Sequence, residues 1–284
     1  KKISYLADKQ KVGIRVAEFD ADRGFFLNGV PMKIKGVCVH HDAGCLGAAV
    51  TKEVWHRRFA KLKECGCNAI RCSHNPHMPE LYELCDTMGF LVMDEAFDEW
   101  ENAKNKWSTG HNVYPPKHQG YFEDFPEWHE KDLRAMVRRD RNHPSIILWS
   151  LGNELQIREG WAGFEGTNDW GITTYNIFNQ LVKRWDHTRL TTVAMFPARA
   201  GAITRHDKEF NDYLVPPELA CATEVASFNY QSDKYDAYLK YQPDLILFQS
   251  EAETSKLLQP YYNMDRKRTV GMAYCCLLYT SPSP

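Results

Sequence analysis

Two carboxylates stand out for the chemistry their surroundings allow. The run Trp149-Ser150-Leu151-Gly152 is mostly apolar and delivers Asn153 and Glu154 to its end. A carboxyl group leaving such a run is partly desolvated, which favours its protonated form and suits it to general-acid work. Glu251 follows a second apolar run that ends at Phe248, and Glu253 lies two positions on, so the segment offers two carboxylates. Glu251 follows the run more directly. One protonated and one ionised carboxyl group facing each other over a single bond is the arrangement that glycoside hydrolysis requires. A helix-capping role is the plain alternative for Glu154.

Other polar groups cluster at the ends of apolar runs in the same way. They are His40-His41-Asp42, then Arg71, His74 and Asn75, then Asp94-Glu95 and Asp98-Glu99, and finally Asn229-Tyr230. Arg71 is a natural ion-pair partner for Asp94 or Glu95. Adjacent His40 and His41 on a strand point to opposite faces, so they do not form a ready metal pair. No metal or other cofactor is expected. Between Trp100 and Phe125 a long stretch carries Trp107, His111, Tyr114, Tyr121 and Phe122, as a functional rim or as packing of the loop onto the body.

The elements that must position these groups are short apolar runs alternating with amphipathic helices. Strands are predicted over Met32–His40, Asn68–Cys72, Phe90–Met93, Ile146–Trp149, Leu190–Met195, Val225–Asn229 and Leu245–Phe248. Helical patterns cover Val54–Cys65, Pro79–Met88, Trp128–Arg139, Tyr175–Trp185 and Tyr235–Tyr241. Strand–helix alternation indicates an α/β fold with a parallel sheet, and the unit length favours a (β/α)8 TIM barrel. In such a barrel the working groups sit after the C-terminal ends of the strands. Strand eight is not visible, so the barrel is expected to be C-terminally truncated, spanning residues 23–274. Residues 1–22 are expected to be the end of a β-sandwich domain, with Val12–Val16 as a strand and Asn28-Gly29 as a turn. Residues 275–284 have neither period and are expected to be a non-native tail.

Composition bounds the rest. The 284 residues are 43% hydrophobic and 25% charged, enough for a full core. A net charge of -2 gives no general attraction to nucleic acid or anionic lipid, and no apolar run has transmembrane length. A small neutral partner is expected, and the 13% aromatic content is compatible with a sugar. Nine cysteines are an odd count, several inside apolar patterns, which favours a reduced protein and the cytoplasm over a disulfide framework. The chain opens Lys1-Lys2-Ile3 without Met, which leaves its natural start and any export signal open. A homo-oligomer of a longer parent is left open as well.

A set of motifs carries a resemblance. Phe26-Leu27-Asn28-Gly29, Lys35-Gly36-Val37 with His40-His41-Asp42, and Asn68-Ala69-Ile70-Arg71-Cys72-Ser73-His74-Asn75-Pro76 resemble glycoside hydrolase family 2. Val92-Met93-Asp94-Glu95-Ala96, Asn142-His143-Pro144-Ser145 and Trp149 to Glu154 extend the likeness over residues 10–255. The family contains β-galactosidases and β-glucuronidases. The resemblance implies a retaining exo-β-glycosidase with a carbohydrate substrate, β-galactosides first. Glu154 would be acid/base and Glu251 nucleophile, with Glu253 as rival. His40, Arg71, His74, Asp94, Asn153 and Tyr230 would line the sugar subsite or hold the carboxylates. Some members bind a structural magnesium, but Glu99-Trp100-Glu101 lacks the histidine expected there. The alternatives are β-glucuronidase or β-mannosidase specificity, an inactive truncated barrel that binds sugar, and a metal-dependent hydrolase.

Overall fold

A computed structural model describes residues 12–101, 120–155, 171–196, 216–252 and 268–275. Eight parallel strands close into a barrel. In chain order they are β4 (Ile34–Val39), β5 (Ala69–Cys72), β6 (Leu91–Glu95), β7 (Ile146–Asn153), β8 (Leu190–Met195), β9 (Val225–Asn229), β10 (Leu247–Ala252) and β11 (Thr269–Tyr274). Each strand pairs with its chain neighbour, and β11 closes the ring by pairing with both β10 and β4.

The missing eighth strand is therefore a correction: Thr269–Tyr274 is that strand. Its small residues hid it. Gly271 lies so close to β4 that a Cβ would stand 2.3 Å from Ile34 Cβ and 2.7 Å from Ile34 O. Glycine is needed for the closing contact, and it also interrupts the β-branched pattern by which strands are read.

Strand alternation sorts side chains into two layers. Ala69, Leu91, Met93, Phe248 and Val270 fill the interior, while Ile70, Cys72, Val92 and Val193 pack under the helices. Those helices are α1 (Lys52–Glu64), α2 (Pro79–Met88), α3 (Phe125–Asp140), α4 (Ile172–Trp185), α5 (Glu218–Ala222) and α6 (Tyr235–Tyr241). α2 starts on Pro79, whose missing N–H costs nothing at that position, and stops at Gly89, which takes the left-handed φ of 72°.

The floor of the barrel is a small antiparallel sheet of β1 (Ala17–Asp20), β2 (Gly24–Leu27) and β3 (Val30–Met32), with Asn28-Gly29 as the β2–β3 turn. Its Phe25 is buried in the interior cluster with Leu91 and Ile147. The expected division at residue 22 thus falls inside the β1–β2 hairpin. Val12–Val16 is not a strand, which corrects a second expectation. Arg15 instead donates to the carbonyls of Pro144 and Ile146, and Gly13 lies close against Pro144, so these contacts rather than a ladder hold the segment.

Candidate active site

The barrel mouth is organised around Arg71. On β5 Ala69 faces inward and Ile70 outward, so Arg71 faces inward again, fully buried just below the rim. A buried guanidinium is costly unless its donors are matched, and here they are. Nε and Nη2 donate to Glu95 at 2.6–2.9 Å, Nη1 to Glu251 Oε1 at 2.8 Å, and Nη2 to Asn153 Oδ1 at 2.8 Å. Glu95 also accepts from Ser150 Oγ at 2.7 Å and lies 2.7 Å from His74 Nδ1. Glu251 accepts from the Tyr230 hydroxyl at 2.5 Å, and His74 Nε2 stands 3.6 Å from it. Burial alone would raise the Glu251 pKa, but Arg71, His74 and Tyr230 outweigh it and hold the carboxyl below its ordinary range. Burial and the Glu251 charge push the Tyr230 hydroxyl strongly upward, so it stays a donor.

Glu154 is joined to this cluster through amides. Asn153 Oδ1 accepts from both Arg71 and Asn229 Nδ2, the latter at 3.0 Å. The same Asn229 Nδ2 donates to Glu154 Oε1 at 3.1 Å, while Asn229 Oδ1 accepts from Ser250 Oγ at 2.7 Å. Glu251 and Glu154 are thereby connected through Arg71, Asn153 and Asn229 without a break.

Backbone irregularities aim these groups. Opposite β8, β7 has a register shift between Ser150 and Asn153, and opposite β9, β10 has one between Gln249 and Glu251. Strict alternation from inward Ser150 would point Asn153 at the helices, and the irregularity returns it to the mouth. Glu154 then takes φ 41° and Tyr230 φ 58°, left-handed conformations that cost a non-glycine residue roughly 1–2 kcal/mol each. The Glu154 N–H is held by Ala194 O at 2.7 Å, and the Tyr230 N–H by Glu251 O at 2.8 Å.

Of the residues picked from sequence, Arg71, His74, Asn153, Glu154, Tyr230 and Glu251 meet at the mouth. His40 is exposed at the rim, with its ring edge-on to His74 at 5.2 Å between centroids. Its ring is nevertheless partly desolvated among its neighbours, and this, with Arg71, lowers its pKa against the pull of Glu251. His41 turns the other way, onto Trp55 and His77.

Asp94 is a correction. It is an outward residue of β6 and accepts from Tyr82 OH of α2 at 2.7 Å, so it cannot line the mouth. Strand parity assigns the mouth to Glu95, and the same parity could have been read from the sequence. Asn229, noted from sequence only as a polar residue at the end of an apolar run, joins the site, and Ser150 and Ser250 are further members not singled out from sequence. Their signal was only a place at or near a strand end.

Glu253, Trp107, His111 and Tyr114 lie outside the described residues. Tyr121 stacks on Phe97 at 5.3 Å and donates to Asp132, which is the packing alternative for that stretch. Among the described residues, no group of three His, Cys, Asp or Glu side chains could hold a metal ion, and no helix is long and apolar enough to cross a membrane.

A closed parallel barrel whose mouth couples two carboxyl groups is a scaffold for paired acid–base chemistry. Residues 20–267 match Glycosyl hydrolases family 2, TIM barrel domain, and the chain belongs to that family. It is 54% identical over 151 residues to Beta-galactosidase BoGH2A of Bacteroides ovatus, a match covering 53% of this chain and 16% of that one. A family 2 glycosyl hydrolase of Bacteroides cellulosilyticus superposes with TM-score 0.73 at 32% identity, covering 93% of this chain and 31% of that one. Bacteroides uniformis beta-glucuronidase 2, solved covalently bound to cyclophellitol-6-carboxylate aziridine, superposes with TM-score 0.65 at 25% identity, covering 93% and 32%. The chain thus spans under a third of the length of these relatives.

Proposed function

We propose that this barrel hydrolyses terminal β-glycosidic bonds with retention of configuration, acting first on β-galactosides. The supporting observation is the unbroken hydrogen-bonded path from Glu251 through Arg71, Asn153 and Asn229 to Glu154. Glu251, held ionised by Arg71, attacks the anomeric carbon. Glu154 gives its proton to the departing oxygen as the old bond breaks, leaving a glycosyl ester on Glu251. Glu154, now ionised, takes a proton from water, whose oxygen attacks the same carbon and releases Glu251. His40 and His74, at the rim beside Glu251, contact the sugar.

The choice of galactoside rests on the 54% identity to a protein named as a β-galactosidase. β-Glucuronides are the second reading, supported by the likeness to a β-glucuronidase structure.

A panel of nitrophenyl β-glycosides, with NMR of the first-formed anomer, tests both halves. Release of the β-anomer from a β-galactoside is expected. First release of the α-anomer would overturn retention, and preference for the glucuronide would overturn the substrate. Glu154→Gln should lower kcat/KM by roughly 10²–10⁴-fold for poor leaving groups and far less for activated aryl glycosides.

A further inference from the structure

We propose that Asn229 decides which oxygen of Glu154 carries the transferable proton, and that Arg71 imposes the choice from the far side of the mouth. The inference rests on the reading of Glu154 as acid/base. A guanidinium has donors and no acceptor, so Asn153 must turn its Oδ1 toward Arg71 Nη2, at 2.8 Å. Its Nδ2 then faces Asp98 Oδ1 at 3.0 Å, which an amide nitrogen satisfies.

With Asn153 fixed, Asn229 must present Nδ2, because the reverse orientation would set two amide oxygens against each other at 3.0 Å. Ser250 Oγ, donating to Asn229 Oδ1 at 2.7 Å, matches the same orientation. Nδ2 then donates to Glu154 Oε1 at 3.1 Å. Asn229 is fully buried, so water does not compete for its amide.

In a protonated carboxyl group the carbonyl oxygen is the better acceptor. Oε1 is therefore the carbonyl oxygen, and the proton sits on Oε2. When Glu251 forms its bond to the anomeric carbon, the glycosidic bond breaks and its departing oxygen takes the Oε2 proton, while Oε1 keeps its hydrogen bond throughout. Asn229 is a positioning residue, and it touches neither proton nor substrate.

Neutron diffraction of the protein at acid pH reads the site directly. Deuterium on Glu154 Oε2 is expected, and deuterium on Oε1 overturns the assignment. Kinetics give an independent reading through two variants of similar size, Asn229→Leu and Asn229→Asp. Both should lose roughly ten- to a hundredfold in kcat/KM on poor leaving groups, with a loss on activated nitrophenyl substrates below about threefold. The aspartate variant also places a competing carboxyl group on the Oε1 side and should lose more. Uniform loss across leaving groups for both variants would mean a structural role and sink the proposal. If Glu154→Gln itself shows no dependence on leaving group, the acid/base reading fails instead.

Discussion

Two clusters in this molecule have the same inventory, one arginine and two buried carboxyl groups, and opposite electrostatics. Inside the barrel, Arg71 reaches both Glu95 and Glu251, and Glu251 is held below its ordinary pKa. Outside, against the helices, Arg139 pairs with Asp140 at 2.6–2.7 Å, while the other acid, Asp94, accepts from the Tyr82 hydroxyl and has the Asp140 carboxyl group beside it. Burial and the neighbouring Asp140 charge push Asp94 well above the carboxylate range, and burial raises Asp140 as well. Glu95 and Asp94 are consecutive residues on β6, so one step along the strand separates an ion pair from a neutral acid. Reach of the guanidinium, not burial or composition, makes the difference.

The comparison can be broken most severely at Arg71. Arg71→Met removes the guanidinium that Glu95 and Glu251 share, leaving them only Ser150, Tyr230 and His74 as partners, and about 3–5 kcal/mol of stability should be lost with nearly all activity. Thermal melting and turnover of a nitrophenyl glycoside check this, and a variant that melts like the parent would show that the pair is not coupled as described. A smaller effect is expected for Glu95→Gln. Its amide NH2 meets donors on Arg71, His74 or Ser150, which should cost about 1–3 kcal/mol and lower kcat/KM. Unchanged melting and unchanged activity together would remove Glu95 from the cluster.

The smallest effect is expected at Asp94→Asn, because an amide imitates the protonated acid. The sign follows from a folded pKa raised above the unfolded one. Asp94 contributes full stability below about pH 3.9, its unfolded value, and loses it as pH rises toward the folded pKa. The Asn variant escapes that loss. It should match the parent in acid and become progressively more stable than it as pH rises. Denaturant titrations across pH measure the gap, and a gap that shrinks with rising pH would show Asp94 to be ionised.

Much of this was legible in advance because barrels write themselves in alternation. Seven strands and the residues at their ends follow from apolar runs, and Arg71, Asn153, Glu154, Tyr230 and Glu251 lie where those runs stop. What failed did so for local physical reasons. β11 was hidden because closure against Ile34 demands glycine at 271, which weakens a strand signal. Val12–Val16 imitated a strand because apolar residues alternate there, but Val12, Ile14 and Val16 are exposed and pair in no ladder. Asp94 was taken into the site because both acids of a pair look alike until parity is counted. Asn229 was noted at a strand end but given no role, because an uncharged amide shows its value only when its donors and acceptors are traced on both sides.

The seam at Gly271 has a kinetic consequence. The bond from Lys33 Nζ to Thr269 O spans 236 residues, and β4 and β11 are among the most distant partners in the chain. At a synthesis rate of about 5–20 residues per second, β4 waits roughly 12–47 s on the ribosome before its final neighbour exists. Over that interval β4 lacks a neighbour on one side, and such an open edge invites pairing with any extended chain nearby. The barrel's vulnerability is thus a matter of timing as much as of energy. Slower translation should increase aggregation of the nascent protein, and a chaperone that shields strand edges should raise its yield.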